Sequence, residues 1–393
     1  MKIPLYLQTL IALLMGAVAG SLLGESAAPL GQVSKWIIEI IKTVAMPVLF
    51  VTITDAIYSA TIKLKGVSVL LGVATINGLC AITIALLLTN LIQPGSYLPL
   101  DGSFLGNGFS KGDLFSGISR SFTSNPKASI FSGTTLIITL SILTGVILLF
   151  FPKSERIQNG LKKALDILFK IIGWVVHLIP IAVFCSVAKV IGLYGKSFVG
   201  GLLVYLVVCL LGMAIHVGII YQSWIRFFTK IPVRLFWKEA KDPVIHSFGI
   251  NSSLATLPIT LTTLKKLKVS DGASRLGACI GTNLNNDGIL LYEVFATIFL
   301  AQAYGVNLSL VHQLMLALLC VVATIGVAGV PEAGIISLSL LASAIGLPLE
   351  SIPILLTVDW ILARVRSMVN VTGDLTVSIV IDRFITGDFS SKR

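Results

Sequence analysis

The chain has 393 residues, 55% of them hydrophobic and only 12% charged, about half the charged share of a soluble domain. That composition cannot supply a polar surface, which excludes a soluble enzyme or a soluble multi-domain protein. The net charge of +11 does not mark a nucleic-acid binder, because the Lys and Arg residues fall in short loops between apolar spans, as topology signals do.

Taken in chain order, stretches of about 20 mostly apolar residues, enough to span a bilayer, fall near 6–24, 35–60, 67–93, 128–152, 164–192 and 197–224, with two more near 273–303 and 351–383. The first is read as a retained helix and not a cleaved leader, since similar spans recur throughout. Lys63 and Lys65, Lys153, Arg156, Lys162 and Lys163, then Arg226, Lys230, Arg234, Lys238 and Lys241, and finally Lys265, Lys266, Lys268 and Arg275 all fall on one side. That predicts a cytoplasmic N-terminus and C-terminus. The loop near 95–127 is rich in Gly and Ser and reads as external. The five cysteines, Cys80, Cys185, Cys209, Cys279 and Cys320, sit singly in apolar runs and read as small packing residues. His177, His216, His246 and His312 have no metal-ligand spacing.

Residues 243–264 and 311–349 differ in kind. Each holds apolar arms too short to cross, meeting at a polar or small-residue tip: NSSLATLP (251–258) and GVAGVPEAG (326–334). This pattern predicts two re-entrant hairpins, tolerated only where protein or water satisfies the backbone. One enters from each side, and each is followed by a helix with polar residues inside. The pattern is an inverted repeat, with a binding site expected where the tips meet.

In the final span, Asp359, Ala363, Arg366, Asn370 and Asp374 are spaced four, three, four and four, so they share one helix face. Over these residues the helix rises roughly 22 Å. Charges at membrane depth cost at least about 2.5–3.5 kcal/mol each, so the stripe is read as a substrate or ion path; a bundle held by mutually neutralising charges is the alternative. Arg366 carries a planar fork suited to a carboxylate. Arg364 points to another face, to balance a nearby carboxylate or keep an empty site neutral. Upstream, Asn285, Asn286, Asp287 and Gly288 interrupt an apolar span and predict unwound carbonyls suited to Na⁺, or else a kink with packing value alone. Ser252 and Ser253 open the second arm of the first hairpin, where a helix N-terminus presents N–H groups to an anion; plain capping is the alternative. At the second tip Gly329, Pro331 and Gly334 permit either a hinged lid or a static loop, with Glu332 facing external water. No serine–lysine, paired-aspartate or HExxH arrangement marks an intramembrane enzyme.

Together SSxxTLP, NxDG, AGVPxAG and DxxLxxxRxMVNVTGD, in that order, with AMPVLF (45–50), NP (125–126) and PIAVF (180–184), resemble the dicarboxylate/amino acid:cation symporter family, which includes glutamate transporter homologues. The resemblance covers nearly the whole chain. It implies an all-α polytopic membrane protein, a homotrimer with eight transmembrane helices and two re-entrant hairpins per subunit. A static scaffold would hold an elevator-type transport domain. Residues 1–62, 96–160 and 161–195 would form the scaffold; 63–95, 196–240 and 241–393 would form the transport domain. The substrate set implied is Ser252, Ser253, Val330, Gly334, Arg366, Ser367 and Asn370. The cation set is Asn285, Asp287, Asn370 and Asp374, with sodium at Asn285, Asp287 and Asp374.

Several positions depart from the family pattern. Ala363 stands where amino-acid-transporting members have an aspartate for the substrate ammonium, and Ile289 replaces the threonine that usually follows NMDG. Asn286 replaces the methionine of that motif. Ala74, Asn77 and Gly78 replace the tyrosine, threonine and serine of a sodium site, and Glu332 replaces a small residue. The function expected is therefore symport of a small C4-type dicarboxylate into the cell across the inner membrane, coupled to Na⁺ or H⁺, with no other cofactor. Partners expected are the anionic substrate, the cation, membrane lipid and other copies of the chain. An acidic amino acid symporter is the runner-up. An anion channel is the alternative of another class, and a substrate-sensing receptor lacks a signalling domain.

Overall fold

The computed structural model describes residues 5–59, 64–98, 100, 140–141, 143–148, 150–151, 154–194, 197–326, 333–345, 347–348 and 351–386, and these contain helices and no strand. The expected span near 128–152, most of the loop near 95–127 and the second hairpin tip lie largely or wholly outside them. The chain divides into two compact units. Unit 1 comprises Met1–Ser59, Leu88–Val208 and Glu293–Ile361; unit 2 comprises Ala60–Leu87, Cys209–Tyr292 and Leu362–Arg393.

The helices in chain order begin with α1 (Leu5–Leu23), α2 (Leu30–Ser59) and α3 (Leu64–Ile92). Next come α4 (Glu155–Val175), strongly two-faced, and α5 (Ile179–Tyr194), separated by a 3₁₀ turn over Val176–Leu178. The sequence reads one span over 164–192, but the helix begins earlier and resets at Pro180, which has no N–H to continue the ladder. α6 (Ser197–Ile215) runs through a π-helical segment, His216–Tyr221, into α7 (Gln222–Phe228). Among the described residues Ser68–Ile92 and Gly200–Phe228 are each long and apolar enough to cross a membrane, and Ile11–Ala27 with Leu30–Ile37 form a pair bent by 112° that passes together. Leu14, Leu22, Leu91, Trp174 and Phe227 are all more than half exposed, an apolar surface suited to lipid and not to water.

The first hairpin is α8 (Val233–Ile250) and α9 (Ser253–Lys266), packed on one another in unit 2. Asn251 ends α8 in the left-handed region (φ 57°), donating its N–H to Ser247 O at 2.8 Å. Asn is among the few non-glycine residues that adopt this conformation readily. α10 (Asp271–Ser274), a π segment (Arg275–Ile280) and a 3₁₀ turn (Gly281–Asn283) lead to α11 (Asp287–Ala303). α12 (Leu310–Gly326) and α13 (Ala333–Ile345) pack together in unit 1. At 17 and 13 residues, each falls short of a ~30 Å hydrocarbon core. α14 (Ile352–Thr386) is one unbroken helix of 35 residues, about 52 Å long.

Within unit 1, α1 meets α5 through small residues one turn apart. A Cβ on Gly16 would sit 2.7 Å from Phe184 O, and one on Gly20 would sit 3.0 Å from Ala188 Cα. This is the small-xxx-small contact that lets membrane helices pack backbone to backbone. Within unit 2, Leu70, Val73, Phe236, Leu264, Val371 and Leu375 belong to one apolar core. Gly277 lies so close to α14 that a Cβ there would stand 2.5 Å from Ser378 Cα. Gly20→Leu should therefore force α1 from α5 and destabilise the protein by about 1–3 kcal/mol, read as a lowered Tm of detergent-purified protein. Gly72→Ala, where nothing lies within 4 Å of an added Cβ, should leave Tm unchanged.

Candidate functional site

The polar residues of unit 2 converge where α14 passes the break before α11. Arg366 is 4% exposed, and its guanidinium carbon lies 3.9 Å from the ring centroid of Tyr292. A cation over an aromatic face gains about 0.5–2 kcal/mol, most when desolvated. The ring thus holds the guanidinium in place without consuming its N–H donors. Ala363, one turn earlier and also buried, brings no charge to it.

Asn370 sits one turn beyond Arg366, and its Oδ1 accepts from the Gly288 N–H at 2.9 Å. That bond satisfies one of the orphan donors at the start of α11. The contact needs a glycine, because a Cβ at 288 would meet Arg366 O and stand 3.0 Å from Arg366 Cα. Ser367 donates to Ala363 O at 3.1 Å and also lies 3.2 Å from Asn251 Oδ1, tying α14 to the first hairpin tip. Ser252 and Ser253, partly exposed, begin the second arm there, and Thr256 donates back to Ser252 O at 2.9 Å. Ser252, Ser253, Arg366, Ser367 and Asn370 therefore all belong to unit 2. Gly334 is buried in α13 of unit 1; Val330, with Gly329, Pro331 and Glu332, lies outside the described residues.

The expected cation residues occupy the same unit. Asn285 and Asn286 lie in the non-helical link before α11, and Asp287 opens that helix. Asp287 Oδ2 accepts from Tyr221 OH at 2.7 Å and faces His216 Nε2 at 3.2 Å. Asn285 Oδ1 accepts from Asn77 Nδ2 at 2.9 Å, and Asn77 Oδ1 accepts from Trp224 Nε1 at 2.7 Å. Asp374, two turns along α14 from Ser367, faces Thr282 and keeps a buried Oδ1 with no hydrogen-bond partner among the described residues. Among the described residues no group of three His, Cys, Asp or Glu side chains converges to hold a metal. Amide, hydroxyl and carboxylate oxygens dominate this cluster, with the His216 imidazole beside them.

Sequence reasoning missed His216, Tyr221, Trp224 and Tyr292, and treated Asn77 only as a substitution. Residues five apart, such as His216 and Tyr221, lie on different faces of an α-helix. The π-helical segment brings them to one carboxylate, and nothing in the sequence announces that turn. A second polar cluster, also missed, lies in unit 1. Glu293, fully buried, accepts from Thr324 of α12 at 2.9 Å and from Ser337 of α13.

The whole chain from residue 5 to 384 matches the model of the sodium:dicarboxylate symporter family. The chain belongs to that family. Symporters are membrane transporters and not enzymes, in keeping with the apolar helices described above. The chain is 27% identical over 399 residues to a C4-dicarboxylate transport protein of Bordetella avium, covering 97% of this chain and 88% of that one. It is 26% identical to the protein of the same name in Paracidovorax citrulli, covering 100% and 90%. A shorter match, 32% over 228 residues, relates it to an excitatory amino acid transporter of Caenorhabditis elegans, covering 57% of this chain and 45% of the relative. Within this family member, the Tyr292 ring is the support of a buried guanidinium. Tyr292→Leu should weaken binding of an anionic substrate about 3- to 30-fold, while Tyr292→Phe, which keeps the ring, should bind within about twofold of wild type, both read by titration of purified protein.

Proposed function

We propose that this symporter takes up a small C4-type dicarboxylate across the inner membrane, with both termini cytoplasmic. The observation that carries the proposal is Arg366, buried with its guanidinium over the Tyr292 ring, beside an Ala363 that offers nothing to an ammonium group. One substrate carboxylate pairs with the Arg366 fork. The other is received at the first hairpin tip, where Ser252 and Ser253 open a helix whose N-terminal N–H groups favour an anion. Ser367 and Asn370 line the same face. The relatives named as C4-dicarboxylate transporters, matched along nearly their full length, support this cargo over an amino acid.

Eight spanning helices, two re-entrant hairpins, a homotrimer and an elevator-type movement complete the reading, supported by the short arms of α8–α9 and α12–α13 and by membership of the family. A coupling cation is held on α14 at Asp374, beside Asn370, where a buried carboxylate oxygen has no partner among the described residues. Proton coupling is the second reading, favoured by Glu293, a fully buried carboxylate met by the hydroxyls of Thr324 and Ser337. A carboxyl in such surroundings can take up and release a proton as those hydroxyls switch between donating and accepting.

The test is uptake into proteoliposomes with sodium and proton gradients imposed separately. Labelled succinate should accumulate saturably under one of them, with malate competing. Strong aspartate uptake that succinate does not inhibit would overturn the dicarboxylate assignment, and an unsaturable ohmic current would make the protein a channel. Arg366→Ala should abolish succinate binding, at least about 100-fold, with the protein still assembled by size-exclusion chromatography. Ala363→Asp places a carboxylate one turn from Arg366 and should lower succinate uptake more than tenfold while raising aspartate uptake.

A further inference from the structure

Asp287 and Asp374 differ in what surrounds their oxygens. A carboxylate oxygen has about two lone pairs to offer, and those of Asp287 Oδ2 are directed at Tyr221 OH and His216 Nε2, at 2.7 and 3.2 Å. Against an acceptor, Nε2 must carry the ring hydrogen. The hydrogen leaves Nδ1 bare, and Nδ1 has no partner. His216 and Tyr221 are both fully buried, and their rings meet edge to face at 4.8 Å, so neither has room to swing aside. Of the neighbouring side-chain oxygens, those of Asn285 and Asn77 each accept one hydrogen, while Asn286 Oδ1 is buried with no partner among the described residues. Asn285 Oδ1 takes the Asn77 amide, and Asn77 Oδ1 takes the Trp224 indole. Sodium needs lone pairs; here four hydrogens of the chain point at three of the oxygens that would supply them. Asp374 Oδ1 is the buried carboxylate oxygen that has no hydrogen-bond partner among the described residues.

We infer that the Asp287–Asn285 position is closed to a coupling cation in this protein. His216 and Tyr221 hold the carboxylate as a bound sodium ion would, so that Asp287, Asn285, Asn77 and Trp224 form a fixed brace between α3, the π segment and the start of α11. The cation is carried at Asp374. This deepens the cation-coupled reading above, and makes the protein a symporter with one fewer cation position than the motif residues Asn285, Asp287, Asn370 and Asp374 suggest.

The experiment is thermal unfolding of the full-length protein in detergent, in sodium chloride against choline chloride at equal ionic strength, since a ligand that binds only the folded state raises Tm. Wild type should gain about 2 °C or more in sodium, Asp287→Asn should gain as much, and Asp374→Asn should gain nothing. His216→Ala combined with Tyr221→Phe bares Asp287 Oδ2 and should gain more from sodium than wild type. A sodium response in wild type that Asp287→Asn cuts by half or more overturns the inference, as does a double variant that gains no more than wild type. If the double variant does not fold, the comparison of wild type with Asp287→Asn decides. A wild type indifferent to sodium, with a double variant that responds, upholds the closed position and counts instead against the sodium coupling at Asp374.

Discussion

A buried carboxylate must be met by donors, and the interior of unit 2 is arranged around meeting that of Asp287. Leaving an ion of this kind unpaired costs several kcal/mol even after relaxation. Two of its partners, His216 and Tyr221, come from a helix that would not bring them together as a regular α-helix. The π segment over His216–Tyr221 sacrifices hydrogen-bond regularity to place both on one oxygen. Such insertions occur disproportionately at functional sites, and here the cause is visible. Gly373 on α14 completes the arrangement, since a Cβ there would crowd Tyr221 OH at 2.6 Å.

The substrate side of the same unit follows the opposite logic. Arg366 lies with its guanidinium over the face of the Tyr292 ring. The backbone breaks at Asn251 and at Asn285–Asn286 expose helix termini; Asn370 accepts the Gly288 N–H at the second, and Ser367 lies against the Asn251 side-chain oxygen at the first. Broken backbone of this kind is stable in a membrane only when protein satisfies it. The bond of Asn370 to the Gly288 N–H does so while leaving the α14 face polar.

Unit 1 is held by close packing more than by polar bonds. Gly16 and Gly20 bring α1 onto the backbone of α5, and the reciprocal amide pair of Asn90 and Gln313, at 2.7 and 3.0 Å, joins α3 to α12. Glu293 is the exception, a carboxylate linking α11 to both arms of the second hairpin through Thr324 and Ser337. The hydroxyls there can donate or accept, whereas the indole, amide and imidazole hydrogens around Asp287 and Asn285 can only be donated.

Much of this protein was determined by local sequence alone. Composition dictated a membrane protein, and apolar run lengths located α1, α2, α3 and α14. The short arms around 251–258 marked the first hairpin, and the spacing of Ala363, Arg366, Asn370 and Asp374 placed a polar stripe on one face, because a continuous α-helix has a fixed period of 3.6 residues. Tertiary structure decided what each polar residue does. Tyr292 lies under Arg366 only because α11 restarts at Asp287 with the turn phase that puts Tyr292 opposite α14. His216 reaches Asp287 only because a π turn rotates it there. Asn77 was legible as a departure from the family pattern, but its link to Trp224 and Asn285 joins residues 147 and 208 apart in sequence. Periodicity extends no further than a single helix; which oxygens remain free for a cation is settled by donors that arrive from elsewhere in the chain.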